Sequence, residues 1–342
     1  MAFLKELKKL IKEADNQELI VKHVIYYLYS IINQNENIEI LLKKNNKFYY
    51  EEKLDINNKV DDLIKNNKEY ICEIDPGTIY QKITTKKFKK ALGQIYTPPE
   101  VVEEMIDMYD FEIINKNFQL KIIDISCGSG YFLLPLIDKL VNIGINHLDA
   151  VKNCIYGVDK DDFSVFLTKL SIMLKYPELK EGDLNIFQGD ILFDELNELK
   201  DEKFDLVIGN PPYIGHKSIS REYKDKLYEK FKTYKNKSDV SYCFFEKGWN
   251  MLKEEGNLIF ITSRYFMEGQ DSLELRKFLQ ENFKISRLID YNGYNLFKNA
   301  NISPLIIKLI KSKLSGSIQY EYKKDDRFYK IEFSQNNLKK DK

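Results

Sequence analysis

The sequence predicts an α/β protein, built on a doubly wound, seven-stranded and mostly parallel sheet with an N-terminal helical domain ahead of it. Three observations carry this. Short apolar runs alternate with helical patterns from residue 121 to residue 311, a glycine-bearing turn joins the first such run to its helix, and the first 90 residues keep helical spacing. In that opening region Phe3, Leu4, Leu7, Leu10 and Ile11, then Ile20, Val24, Ile25 and Leu28, recur three or four apart. Pro98 and Pro99 then open a helix, where proline costs no hydrogen bond. The strands follow as KIIDIS (121–126), CIYGVD (154–159), NIFQGD (185–190), FDLVIGN (204–210), NLIFITS (257–263), ISRLIDY (285–291) and SPLIIKLIK (303–311). Helices are expected from about Gly130, from Asp161, over Tyr242 to Lys253 and over Ser272 to Glu281. The expected division is a helical domain at 1–90, a catalytic domain at 91–313 and a short β-like tail at 314–342.

Composition bounds the function. At 43% hydrophobic and 31% charged, the 342-residue chain can bury a core of ordinary size. Lys plus Arg and Asp plus Glu stand at 53 each, so contact with a polyanion has to come from local clusters rather than from a whole-molecule field. Cys72, Cys127, Cys154 and Cys243 form no CxxC pair and lie near no histidine at ligand spacing, so reduced thiols and no metal site are expected. No run approaches the roughly 20 apolar residues of a membrane span, and the charged opening helix lacks a signal-peptide core. A cytoplasmic location and no membrane partner are expected.

The chemistry sits at strand ends. The loop DISCGSGYF, Asp124 to Phe132, joins strand to helix, and Gly128 and Gly130 let its backbone approach a ligand; Asp124 and Ser126 belong to the same expected binding set. Its spacing is not GxGxxG, which disfavours a nicotinamide dinucleotide. The next strand ends in Asp159, whose two oxygens suit the hydroxyls of a ribose. The third ends in Asp190 and Ile191, an acceptor for an adenine amino group beside a backbone donor for the ring. Each acid alone would equally serve as a helix N-cap; three successive strand ends suited to one adenosine argue for the ligand. The fourth strand ends in Asn210, Pro211, Pro212 and Tyr213. Two prolines stop the ladder and leave carbonyls aimed into the crevice. Asn210, through its side-chain oxygen, and Pro211, through its carbonyl, can accept both hydrogens of an amino group conjugated to a ring. That draws the nitrogen toward tetrahedral geometry and frees its lone pair to attack a sulfonium methyl. Tyr213 offers a face for a flat base, worth about 1 to 3 kcal/mol. Asn210 stands in both the catalytic and the cofactor set, because the first and fourth strand ends meet where the strand order reverses.

From Leu92 to Lys311 these residues resemble the amino-group DNA methyltransferases of the gamma arrangement, in which cofactor motifs precede the Asn-Pro-Pro-Tyr motif. The resemblance implies a Rossmann-like class I methyltransferase, S-adenosylmethionine as cofactor, and N6 of a flipped-out adenine in DNA as acceptor, in a restriction-modification or epigenetic system. It includes LGQIYTPPEVVEEMI (92–106), where Tyr96, Thr97 and Pro98 would line the cofactor site, and YNLFKNANISPLII (294–307), where Phe297 would be the second aromatic against the base. Two lysine clusters border the crevice: Lys82, Lys86, Lys87, Lys89 and Lys90, and Lys217, Arg221, Lys224, Lys226, Lys230, Lys232, Lys235 and Lys237. They suit phosphate contacts or a solvated face.

About 30 residues follow Lys311, too few for a target-recognition domain, so a specificity subunit or a missing recognition domain is expected. No nuclease motif accompanies the chain, the EEK at 51–53 being an isolated match, and no DNA cleavage is expected. The same Asn-Pro-Pro-Tyr motif serves protein glutamine N5-methyltransferases, which also carry an N-terminal helical domain, and RNA guanine methylation shares the chemistry. A partner-dependent modification subunit without independent activity is the reading from another class.

Overall fold

The computed structural model describes residues 2–12, 17–50, 54–84, 96–111, 120–235, 237–294, 296–297, 303–325 and 327–336. Lys86, Lys87, Lys89 and Lys90, the EEK string and parts of both resemblance segments lie outside the described residues.

Among the described residues nine strands form one sheet: β1 (Ile122–Asp124), β2 (Ile155–Asp159), β3 (Asn185–Gln188), β4 (Phe204–Gly209), β5 (Leu252–Ser263), β6 (Lys284–Asp290), β7 (Pro304–Ile310), β8 (Ser317–Lys324) and β9 (Arg327–Ser334). Their order is β3-β2-β1-β4-β5-β7-β6-β8-β9. β7 runs antiparallel to both neighbours, while β3, β2, β1, β4 and β5 are parallel. The expected seven strands are all present, and the count of seven is corrected to nine because the tail joins the sheet. β8 pairs parallel with β6 from Arg287↔Gln319 to Asp290↔Tyr322, and β9 folds back on β8. Ile318 is fully buried, and the Gln335 amide donates to Phe283 O and accepts from Ile285 N–H, both at 2.9 Å.

Strand residues alternate between two apolar clusters, as a period of two requires. Ile122, Leu206, Ile208 and Ile259 face one side, and Ile123, Val207, Leu258 and Phe260 the other. The first face is covered by α6 (Pro99–Asp107), α7 (Leu133–Asn142) and α8 (Asp162–Lys175). The second is covered by α10 (Ser241–Met251) and α11 (Leu273–Asn282), with α9 (Arg221–Lys230) beside them. Helix starts follow local chemistry. Asp161 caps α8 through Ser164 N–H at 3.0 Å, and α6 begins at Pro99 with Pro98 in the cap position. The helix expected from Gly130 begins at Leu133, because residues 128–132 are spent on turns.

The N-terminal helices α1 (Ala2–Lys12), α2 (Gln17–Ile32), α3 (Glu36–Lys44), α4 (Leu54–Cys72) and α5 (Pro76–Ile83) lie outside α8 and share the first apolar cluster. Phe48 meets Phe163 edge-on at 4.8 Å, Tyr80 meets Phe163 at 5.5 Å, and Tyr26 stacks on Phe166 at 6.3 Å. Each such ring contributes about 1.5–3 kcal/mol by burial. The ion pairs Lys47–Asp162 and Lys44–Glu181 fringe this contact. No described helix is long and apolar enough to cross a membrane.

Candidate active site

β1 lies between β2 and β4, so the sheet's topological switch falls at the C-terminal ends of β1 and β4, where doubly wound folds open a crevice. A cleft of about 580 Å³ occupies that place, within the few hundred to about 1,000 Å³ usual for a small-molecule site. It is lined by Tyr96, Thr97, Asp124, Ser126, Gly128, Asp159, Asp190, Ile191, Asn210, Pro211 and Tyr213 among others. Eleven expected residues, scattered over more than a hundred positions, thus meet in one cavity.

Three do not line it. Pro98 is the half-buried cap of α6, Gly130 sits behind the loop, and Phe297 is 4% exposed inside the first apolar cluster, with Tyr291 and Ile306. Gly130 is required by conformation: its φ is +89°, and a Cβ there would sit 3.3 Å from Thr168 Cγ2. Phe297 gives its ring to the core, because an apolar side chain there gains more from burial than from facing an open cleft.

The glycine loop is held from three sides. Gly128 N–H donates to Asp159 Oδ2 at 2.8 Å, Thr168 Oγ1 donates to Gly128 O at 2.8 Å, and Cys127 N–H donates to Val158 O at 2.9 Å. Asp159 Oδ1 also accepts from Asp161 N–H at 2.9 Å, so this carboxylate ties the loops after β1 and β2 together. Burial raises its pKa to about 6 against the pull of those backbone donors. Asp124 is 1% exposed, accepts from Ser126 N–H at 2.9 Å, and is raised to about 8, chiefly by burial and further by Asp159. Gly209 passes directly over it: a Cβ there would fall 2.5 Å from Asp124 Oδ1, so only glycine lets β4 end against that carboxyl.

Asn210 follows Gly209, and its Nδ2 donates to Thr97 Oγ1 at 3.2 Å. With the amide nitrogen committed as donor, Oδ1 is the atom Asn210 can offer to an incoming amino group. The Tyr213 hydroxyl donates to Ile261 O at 3.2 Å, which pins its ring between the ends of β4 and β5. Asp190 accepts from Leu192 N–H at Oδ1, 3.1 Å, and from Lys160 Nζ and Tyr223 Oη at Oδ2, 3.0 and 2.9 Å.

Residues 153–297 match the Eco57I restriction-modification methylase family. This stretch is similar to Eco57I-type methylase domains. In the chain as a whole the glycine loop, Asp124 to Phe132, precedes Asn210-Pro-Pro-Tyr213, an order consistent with the gamma arrangement. Among curated relatives, the type II methyltransferase M.HincII of Haemophilus influenzae is 31% identical over 66% of this chain and 38% of its own length. M.BstVI of Geobacillus stearothermophilus is 27% identical over 65% and 42%. The restriction enzyme and methyltransferase RM.Eco57I of Escherichia coli is 27% identical over 67% and 29%. The chain therefore spans less than half the length of each. Two solved structures share the fold. The type I restriction-modification methyltransferase subunit of Streptococcus thermophilus superposes with a TM-score of 0.59 at 16% identity, over 92% of this chain and 71% of that one. The DrdV–DNA complex gives 0.64 at 19%, over 95% and 40%.

The cleft also contains residues that motif reading passed over: Ser129 and Tyr131 on the glycine loop, Lys160, Phe244, and Tyr223 from α9. Lys160 directly follows Asp159, a signal within reach of the sequence; Tyr223 lies in the lysine-rich insertion, where nothing local marks it. Tyr131 is held by Gln81 and Thr78 of α5, so the N-terminal helices buttress the cleft wall.

Proposed function

We propose that the chain is the catalytic part of a DNA methyltransferase that transfers a methyl group from S-adenosylmethionine to N6 of an adenine. The observation that carries the reading is the Asn210 amide, oriented by Thr97 and facing the same cleft as the glycine loop and the acids Asp124, Asp159 and Asp190. The residues present fit the cofactor. The buried hydroxyl of Ser129 lines the cleft without a hydrogen-bond partner among the described residues, as a site awaiting a polar ligand would leave it. Asp159 would take the ribose, Asp190 and Ile191 the adenine, and Tyr96, Thr97 and Gly128 the remaining wall. Bound there, the cofactor supplies a sulfonium methyl, the electrophile for an amino nitrogen.

The protein's part in the chemistry is acceptance and orientation. Asn210 Oδ1 and the Pro211 carbonyl accept hydrogen bonds from the two amino hydrogens, and Tyr213 stacks on the base. No side chain has to remove a proton before transfer: the N–C bond would form as the S–C bond breaks, the neutral thioether would leave, and the methylated nitrogen would then release one proton to solvent. The acceptor base has to leave the duplex to reach the cleft. The exposed Lys217, Arg221, Lys226, Lys230, Lys232, Lys235 and Lys237 suit the phosphates around it. Because the relatives are longer, target recognition is assigned to a further segment or a separate specificity subunit. A restriction-modification system is the setting, as in the names of the relatives.

The test is transfer of labelled methyl from S-adenosylmethionine to unmethylated genomic DNA, followed by digestion to nucleosides. Label on N6-methyladenine is expected. Label on cytosine, or on RNA or a protein glutamine offered in parallel and not on DNA, would overturn the acceptor assignment.

A further inference from the structure

We infer that Tyr223, from the insertion after Asn210-Pro-Pro-Tyr213, is a cofactor-positioning residue, and that the segment 214–240 roofs the adenine end of the cleft in addition to any contact with phosphate. This rests on reading the cleft as an S-adenosylmethionine site. The segment leaves at Ile214 and returns at Val240, whose N–H donates to Ile214 O at 3.0 Å, so its base is closed. It is packed: Leu227, Phe231 and Tyr234 are buried in the second apolar cluster. Thr233 N–H and Oγ1 donate to the buried Glu246 at 3.1 and 3.2 Å, and Ser238 Oγ donates to Asp271 O at 2.8 Å. A free charge run would show none of this.

The inner end of α9 reaches the cleft. Ser220 caps the helix by accepting Tyr223 N–H at 3.2 Å, and Ile219, Ser220 and Tyr223 all line the cavity. The Tyr223 ring packs edge-on against Phe193 at 5.0 Å, in the loop after β3. Its hydroxyl donates to Asp190 Oδ2, and Lys160 Nζ reaches the same oxygen while lying 4.9 Å from the Tyr223 ring centroid.

Counting acceptor positions then gives the function of the latch. A carboxylate oxygen has about two. Among the described residues, Oδ2 is filled by Tyr223 and Lys160, and Oδ1 holds only Leu192 N–H. The second position on Oδ1 is the one left for an amino group on the ligand's ring. Tyr223 and Lys160 therefore fix the plane of the carboxylate and choose which oxygen the adenine meets, while the Tyr223 ring closes the roof.

The experiment is calorimetric binding of S-adenosylmethionine, S-adenosylhomocysteine and S-inosylhomocysteine to the wild-type chain, Tyr223→Phe and Tyr223→Ala, with melting temperatures alongside. Tyr223→Phe keeps the ring against Phe193 and loses only the hydroxyl. It should bind the adenosine ligands about 10-fold more weakly, the scale of one hydrogen bond to a charged group, at nearly unchanged melting temperature. It should also lose part of the preference for adenosine over inosine, which a merely structural role would leave intact. Tyr223→Ala should weaken binding further. Wild-type affinity and purine preference in a folded Tyr223→Phe would overturn the positioning role. Absence of cofactor binding in the wild type would instead overturn the cofactor reading on which the role rests.

Discussion

On the proposed function Asn210 and Thr97 would divide one task, Asn210 offering the acceptor oxygen and Thr97 holding the amide by accepting from its Nδ2. Asn210→Ala should lower kcat by about 100-fold or more, the scale for losing a hydrogen-bond partner used in the transition state, while calorimetry finds cofactor affinity nearly unchanged. Thr97→Val should cost about 10-fold in kcat, the scale of one hydrogen bond, with Thr97→Ser restoring it. A loss in the serine variant with none in the valine variant would mean that the methyl group and not the hydroxyl matters. Asp124 makes a different prediction. Burial holds its pKa near 8, so the folded protein binds that proton more tightly than the unfolded chain does. Its contribution to stability is accordingly lost as pH rises from the ordinary carboxylate range to about 8. Asp124→Asn, neutral throughout, should gain on the wild type across that window, the difference in melting temperature being larger at pH 8 than at pH 5. A difference independent of pH would show that Asp124 is ionised in the folded state. Most residues of the cleft were legible because each ends a strand. Gly209 was not singled out, since its need arises from Asp124, 85 residues earlier, and no local pattern expresses that contact.

The strands declared themselves by apolar runs, and their helices by caps such as Asp161 and Pro98-Pro99. The tail was harder. Alternation in Ile318, Tyr320 and Tyr322 marks a strand, but which edge it joins depends on β6 and on the Gln335 clip, neither of which is near in sequence. If β8 is integral to the sheet, Ile318→Ala should destabilise the protein by about 2–5 kcal/mol, the usual range for emptying a buried isoleucine site, as read from denaturant unfolding. A loss under about 0.5 kcal/mol, the scale of a surface change, would make β8 and β9 an appendage. The lysine-rich insertion shows the same limit from the other side. Its charges are conspicuous in the sequence, whereas the buried Leu227, Phe231 and Tyr234 that seat it are too sparse to register as a pattern.

At the scale of the whole molecule, the N-terminal helices and the catalytic sheet share one apolar cluster and meet through Phe48, Tyr80, Phe163 and Phe166. A common core predicts a common transition. Fluorescence of Trp249, the single tryptophan, on the far face of the sheet, and far-UV circular dichroism, dominated by helices on both faces, should give coincident unfolding curves. Two separated midpoints would show that the helical domain expected at 1–90 unfolds on its own. The sequence by itself determined the strand and helix order, the switch point and the chemistry of the strand ends, because hydrophobic period, proline, glycine and capping residues act over a few neighbours. Only the tertiary structure decided that Phe297 enters the core, that the tail extends the sheet, that α5 braces the glycine loop and that Tyr223 closes on Asp190. Those outcomes turn on which distant surfaces leave least apolar area in water and fewest buried polar groups unpaired, a sum over the whole chain that no local segment contains.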